Sequence, residues 1–247
     1  VNTPLSTAGT LFYDHAASRR TGRDADLAPL CVAEPTLSEY FTDNAADGAV
    51  TAFACTQLKQ IAASGKPILW VQDRVTQRES GKPFPAGLPA GLRLILVTVN
   101  RAVDLLWSME EGLHCDALGA VLGELWGDPP ALDFTATKRL ALRAEARAIP
   151  ALLIRRGGHP NLSAARQRWR ITSLPARLDP DDNRAPGTPL WQADLFRARG
   201  RPPGQWVAGP GKTGVLLSHA VHMNDAGGGG LSDGTRHTPG PTIRAAG

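Results

Sequence analysis

The stretch Thr42-Asp43-Asn44-Ala45-Ala46-Asp47-Gly48-Ala49 separates a short apolar run from a segment of helical period. In a parallel α/β sheet that is where a phosphate is usually held, because the helix N-terminus offers free N–H groups and the positive end of its dipole. Nucleotide chemistry there needs GxxxxGK[ST]: glycines for close backbone approach, a lysine for the terminal phosphates and a hydroxyl for Mg²⁺. This loop has no lysine, one glycine, and two carboxylates, Asp43 and Asp47, that repel phosphate. A degenerate phosphate-binding loop is the expectation, with no catalytic residue and no nucleotide cofactor. Glu124 ends the apolar run Ala120-Val121-Leu122-Gly123, where a metal-associated acid would sit. Without the lysine it supports no ATP chemistry, and a structural role is favoured.

Other apparent motifs lack the context their chemistry needs. Gly211-Lys212-Thr213 resembles the end of a phosphate loop, but Trp206 stands where the leading glycine belongs and no strand and helix flank it. Gly230-Leu231-Ser232-Asp233-Gly234 matches GxSxG without the strand before and the helix after that a nucleophile elbow requires. His219 and His222 have no acid or thiol nearby to complete a metal site, so no metal is expected. Cys31, Cys55 and Cys115 are odd in number and far apart, which argues against a disulfide framework or a cysteine zinc site and suits a reducing cytoplasm.

A basic pattern appears further along. Strict alternation through Arg166-Gln167-Arg168-Trp169-Arg170-Ile171 puts three arginines on one face of a strand and Gln167, Trp169 and Ile171 on the other. Trp191, Ala193 and Leu195 supply an opposing apolar face, and Arg197, Arg199 and Arg201 carry the charge on towards Gly204 and Trp206. Such a face either contacts nucleic acid or an acidic protein, or is a solvated edge that resists aggregation. The candidate partner- or DNA-binding residues are Arg166, Arg168, Arg170, Arg197, Arg199, Arg201 and Trp206.

The elements that must position these residues follow from periodicity. Thr36–Phe41, Ile68–Gln72, Leu94–Thr98, Leu118–Leu122 and Ala151–Ile154 are short apolar runs suited to strands covered on both faces. Between them Val50, Phe53, Ala54, Leu58 and Ile61 share one helical face, as do Ala102, Leu105, Leu106, Met109 and Leu113. A helix near Thr137–Ala148 turns Leu140, Ala141, Ala144 and Ala148 inward and its basic residues outward. Strand and helix alternate, so an α/β fold with a mostly parallel sheet flanked by helices is expected, followed by an antiparallel pair at Arg166–Ser173 and Leu190–Ala198. Residues 1–35 lack a sustained period and read as a poorly ordered arm, with a short helix near Leu11–Ser18. Residues 36–207 form the domain, and the Gly-rich composition of 208–247 predicts a disordered tail. At 247 residues, with 42% hydrophobic and 20% charged residues, one globular domain is the expectation. The formal charge of +4 permits contact with nucleic acid but is far from that of a DNA-coating protein. No apolar run reaches the roughly 18–20 residues of a membrane span, so a cytoplasmic protein without a membrane partner is expected.

Three longer stretches are Pro67-Ile68-Leu69-Trp70-Val71-Gln72, Leu105-Leu106-Trp107-Ser108-Met109-Glu110-Glu111 and Ala120-Val121-Leu122-Gly123-Glu124-Leu125-Trp126. Thr137-Lys138-Arg139-Leu140, Ser163-Ala164-Ala165-Arg166 and Arg197-Ala198-Arg199-Gly200 follow, leading to Gly204 and Trp206. In this order they resemble the ImuA family of RecA-related accessory proteins of DNA-damage-inducible mutagenesis, some of which carry the label SulA-like or SOS cell-division inhibitor. The resemblance implies a RecA-like fold without competent nucleotide motifs. It also implies a non-catalytic adaptor in SOS translesion synthesis, acting with ImuB and an error-prone replicative-type DNA polymerase, with RecA and DNA as further candidates. The rival expectations are a residual ATPase that acts with a partner and a cell-division inhibitor.

Overall fold

The structure, a computed structural model, describes residues 30–182 and 184–219. The first strand of the parallel half, β2 (Leu37–Thr42), leads through the loop 43–48 into α1 (Ala49–Gln57) and α2 (Lys59–Ser64). Next come β3 (Ile68–Asp73), α3 (Arg74–Ser80), β4 (Leu94–Val99), α4 (Ala102–Gly112), β5 (Ala120–Trp126), α5 (Phe134–Arg147) and β6 (Ala151–Arg156). The chain ends in β7 (Gln167–Leu174), β8 (Leu190–Ala198), β9 (Gly204–Pro210) and β10 (Val215–His219), and the short β1 (Leu30–Cys31) pairs with β10.

One sheet of ten strands runs in the order β1-β10-β9-β8-β7-β2-β6-β5-β3-β4. Pairing is parallel from β7 to β4 and antiparallel from β7 to β1. Parallel neighbours need long crossovers, which the helices provide, and two apolar faces result. On one face α1 seats Val50, Phe53 and Ala54 on Tyr40, Trp70, Leu122, Ile154 and Trp169. On the other, α4 and α5 seat Leu105, Met109, Leu140 and Ala144 on Leu37, Val71, Val121 and Leu153. Gly123 is what lets α4 lie this close to β5, because a Cβ there would collide with Met109 Sδ. Asp73 and Asp133 cap α3 and α5, accepting from the N–H groups of Thr76 and Ala136.

Several expectations change. The strand expected at Leu118–Leu122 begins at Ala120 and runs to Trp126, since Leu118 closes a turn onto the carbonyl of Cys115. The strand at 94–99 is not covered on both faces but is the sheet's edge, with Ile95 46% exposed. Ala148 does not turn inward: it ends α5 in the left-handed region at φ 53° and is exposed. The expected arm and tail also give up residues to the domain. Leu30–Cys31 joins the sheet, and residues 204–219 form a hairpin that enlarges the antiparallel pair to four consecutive strands, with β1 beyond them. Ala208, Val215 and Leu217 share the inward face of that hairpin, Val207 is buried on the other face, and this burial outweighs the glycines. The helix expected near Leu11–Ser18, the GxSxG match at 230–234 and His222 lie outside the described residues.

Candidate functional site

Two places bear on function: the carboxyl ends of the parallel strands, where such sheets bind ligands, and the basic strands β7 and β8.

At the first, Arg156 ends β6 and enters the loop after β2. Its Nε donates to Glu124 Oε1 at 2.6 Å, one terminal nitrogen donates to the carbonyls of Ala45 (2.8 Å) and Asp47 (3.1 Å), and the other to Thr51 Oγ1 at 2.6 Å. The second oxygen of Glu124 accepts from Trp70 Nε1 at 3.2 Å and Gln72 Nε2 at 2.8 Å. The loop therefore turns carbonyl oxygens to its centre, where a phosphate loop turns N–H groups. The start of α1 is already answered from within, since Asp47 Oδ1 accepts from the Ala49 N–H at 2.8 Å. Asp47 also accepts from the N–H and hydroxyl of Ser173 on β7 at 2.9 and 2.6 Å. Burial pushes its carboxyl up, but the Ser173 and Ala49 hydrogen bonds and the Arg156 charge outweigh this and hold it below its ordinary value. Asp43, the other acid of the loop, pairs with Arg170 at 3.1 Å. A cavity of about 270 Å³ beside this network is lined by Trp70, Gln72, Cys55, Glu124 and Arg156 and bordered by the exposed Phe84. Burial pushes the Cys55 thiol up to about 12, with the Glu124 charge adding to it, which leaves it a poor nucleophile. Gly211-Lys212-Thr213 lies in the turn between antiparallel β9 and β10.

The basic strands are less open than alternation suggests. Arg166, Arg168 and Arg170 do share a face, but β7 lies inside the sheet, between β2 and β8. Arg168 is 3% exposed, donates to Glu39 Oε2 at 2.7 Å and lies between the rings of Phe41 and Phe196. Arg155 is fully buried, with its charge set against Glu39 and Asp128 and its guanidinium over Phe41. Arg170 lies over Phe196 with Asp43 and Asp194 as partners, and Arg166 pairs with Glu145. Arg201 covers the Trp169 ring and donates to Gln167 Oε1 at 3.2 Å, while Trp206 packs half-buried on Trp169. Arg197 and Arg199 are exposed, and their guanidinium groups have no hydrogen-bond or ion-pair partner among the described residues. Of the seven sequence candidates these two are free to meet a partner, and Arg168 is corrected to an internal residue.

Periodicity had not singled out Glu39, Gln72, Arg155 or Arg156. The one signal was a pair of arginines ending an otherwise apolar buried strand, Ala151-Leu152-Leu153-Ile154-Arg155-Arg156. Charges in that position need internal partners. Among the described residues no group of three or more His, Cys, Asp or Glu is placed to hold a metal ion, and no helix is long and apolar enough to cross a membrane.

Strand order, helices on both faces and a filled loop at the head of the sheet define a RecA-like α/β domain with a degenerate phosphate-binding loop. Two proteins called Protein ImuA, from Caulobacter vibrioides strains NA1000 / CB15N and ATCC 19089 / CIP 103742 / CB 15, are each 33% identical to it over 172 residues, 65% of this chain and 68% of theirs. The chain belongs to the ImuA family. No protein-family model matches it.

Proposed function

We propose that this chain is a non-catalytic adaptor of DNA-damage-induced, error-prone translesion synthesis that binds ImuB, with RecA and DNA as further partners. Membership of the ImuA family supports the process and the partner. The observation that carries the non-catalytic part is Arg156, which fills the loop 43–48 through the carbonyls of Ala45 and Asp47 while Asp47 occupies the start of α1. A triphosphate would have to displace four hydrogen bonds of a buried, paired cation and meet two carboxylates in place of a lysine. What the sheet offers partners is surface, not a reacting group.

Capture of ImuB by the purified chain, with and without ATP, together with a turnover assay, tests this. Equal capture in both conditions and no phosphate release are expected. Phosphate release that rises when ImuB is added would favour an ATPase completed by its partner and overturn the proposal.

A further inference from the structure

We propose that the cleft between the start of α5 and the end of β8 is a binding site for single-stranded nucleic acid. It encloses about 370 Å³ and is lined by Phe134, by the loop Ser163-Ala164-Ala165-Arg166 and by Arg197-Ala198-Arg199.

A bulge builds its basic wall. Between β7 and β8, Arg168 lies opposite Arg197 and Trp169 opposite Leu195, which leaves Phe196 as the extra residue. Phe196 turns to Phe41 and Arg168, and Arg197 falls in register with Arg168 and enters the cleft rather than the opposite face. Bulges re-aim side chains in this way. Arg199 is held two residues on, about 6.7 Å along an extended chain, by its N–H on the carbonyl of Arg166 at 2.8 Å. Neither guanidinium group has a hydrogen-bond or ion-pair partner among the described residues, although the Arg199 charge helps lower the Glu145 carboxyl, so both meet an anion without first breaking an internal ion pair. The acids nearby are engaged: Glu145 accepts from Arg166 and Thr36, and Asp133 caps α5.

The opposite wall decides the class of polyanion. Phe134 is 42% exposed at the first position of α5, although a large ring is normally buried. Exposed Lys138 stands one turn beyond it. The small side chains of Ala164 and Ala198 also line the cleft. Cations on one side of a cleft and an aromatic face on the other suit a strand whose phosphates are paired and whose bases can stack. A duplex keeps its base faces inside, and an acidic peptide has no use for the ring. This assignment rests on the adaptor reading and gives it a contact with DNA, yet it has its own test.

That test is fluorescence anisotropy of the full chain with a labelled oligothymidylate across a salt series, with thermal unfolding as a check that each variant folds. The parent chain binds, and more weakly as salt rises. Arg197→Ala with Arg199→Ala weakens binding at least ~10-fold and flattens the logarithmic salt slope by about 1.4, at about 0.7 for each lost phosphate contact. Phe134→Ala weakens binding ~10-fold, a typical stacking loss, with the slope unchanged. The site is overturned if the parent does not bind, if either variant binds like the parent, or if polyglutamate displaces the labelled strand as well as unlabelled oligothymidylate does. ImuB capture by the same variants separates the two readings: variants that lose the oligonucleotide but keep ImuB leave the adaptor intact, and a parent that binds DNA without ImuB leaves only the cleft.

Discussion

Arg156 and Glu124 illustrate how a charge is kept inside this sheet. Both are nearly inaccessible, and each is the other's counter-charge, at 2.6 Å. Removing one partner strands the other in a low-dielectric interior, whereas replacing both with apolar groups of similar volume removes the desolvation cost and the attraction together. Arg156→Met is therefore expected to cost about 3–5 kcal/mol, part of it from the freed carbonyls of Ala45 and Asp47. Adding Glu124→Leu is expected to restore much of that loss, even though Trp70 Nε1 and Gln72 Nε2 then lose their acceptor. Urea unfolding of the two single variants and the double variant measures the coupling. Strictly additive losses would mean that the pair contributes nothing as a pair.

At the scale of elements, the hairpin of β9 and β10 has a clear inside and outside. Leu217 is 2% exposed and belongs to the cluster under α1, while Leu216 beside it is 43% exposed. Leu217→Ala is expected to lose about 2–5 kcal/mol, and Leu216→Ala to stay within about 0.5 kcal/mol; comparable losses in chemical unfolding would remove the hairpin from the cooperative domain. Composition hid this hairpin, because Gly209, Gly211 and Gly214 read as breakers and only the sheet beside them supplies the surface that rewards Val215 and Leu217. The parallel strands were legible for the converse reason: each carries its apolar run within itself, as Ile68-Leu69-Trp70-Val71 does. Alternation also correctly grouped Arg166, Arg168 and Arg170. It could not supply their surroundings, since Glu39 lies 129 residues from Arg168 in the chain and reaches it only because β2 and β7 are neighbours. The Arg156 site was hidden in the same way, with its loop contacts 105–111 residues distant.

In the molecule as a whole, carboxylates tie segments together that are far apart in the chain. Asp47 joins the loop after β2 to Ser173 on β7, Asp128 joins the end of β5 to Arg155 and His159, and Glu145 joins α5 to Arg166. Arg166 holds Glu145 below its ordinary value. Burial pushes Asp128 up, but His159 and Arg155 outweigh it and its value is lowered too, as is that of Asp47. Asp194 runs the other way, raised by burial against the pull of Arg170. A carboxyl lowered in the folded state binds its proton less readily there than in the unfolded chain, so its contribution is complete above the ordinary carboxylate range. That contribution is lost as pH falls through the range towards the lowered value. With three such links, and Asp104 lowered by Arg101 as well, against one opposing group, stability is expected to fall between about pH 6 and about pH 2. Asp47→Asn should lower the urea midpoint at the upper pH, flatten the profile and approach the parent as the pH falls and Asp47 gains its proton. Parent and variant profiles that stay parallel across the whole range would show that the Asp47 link carries no charge-dependent stability.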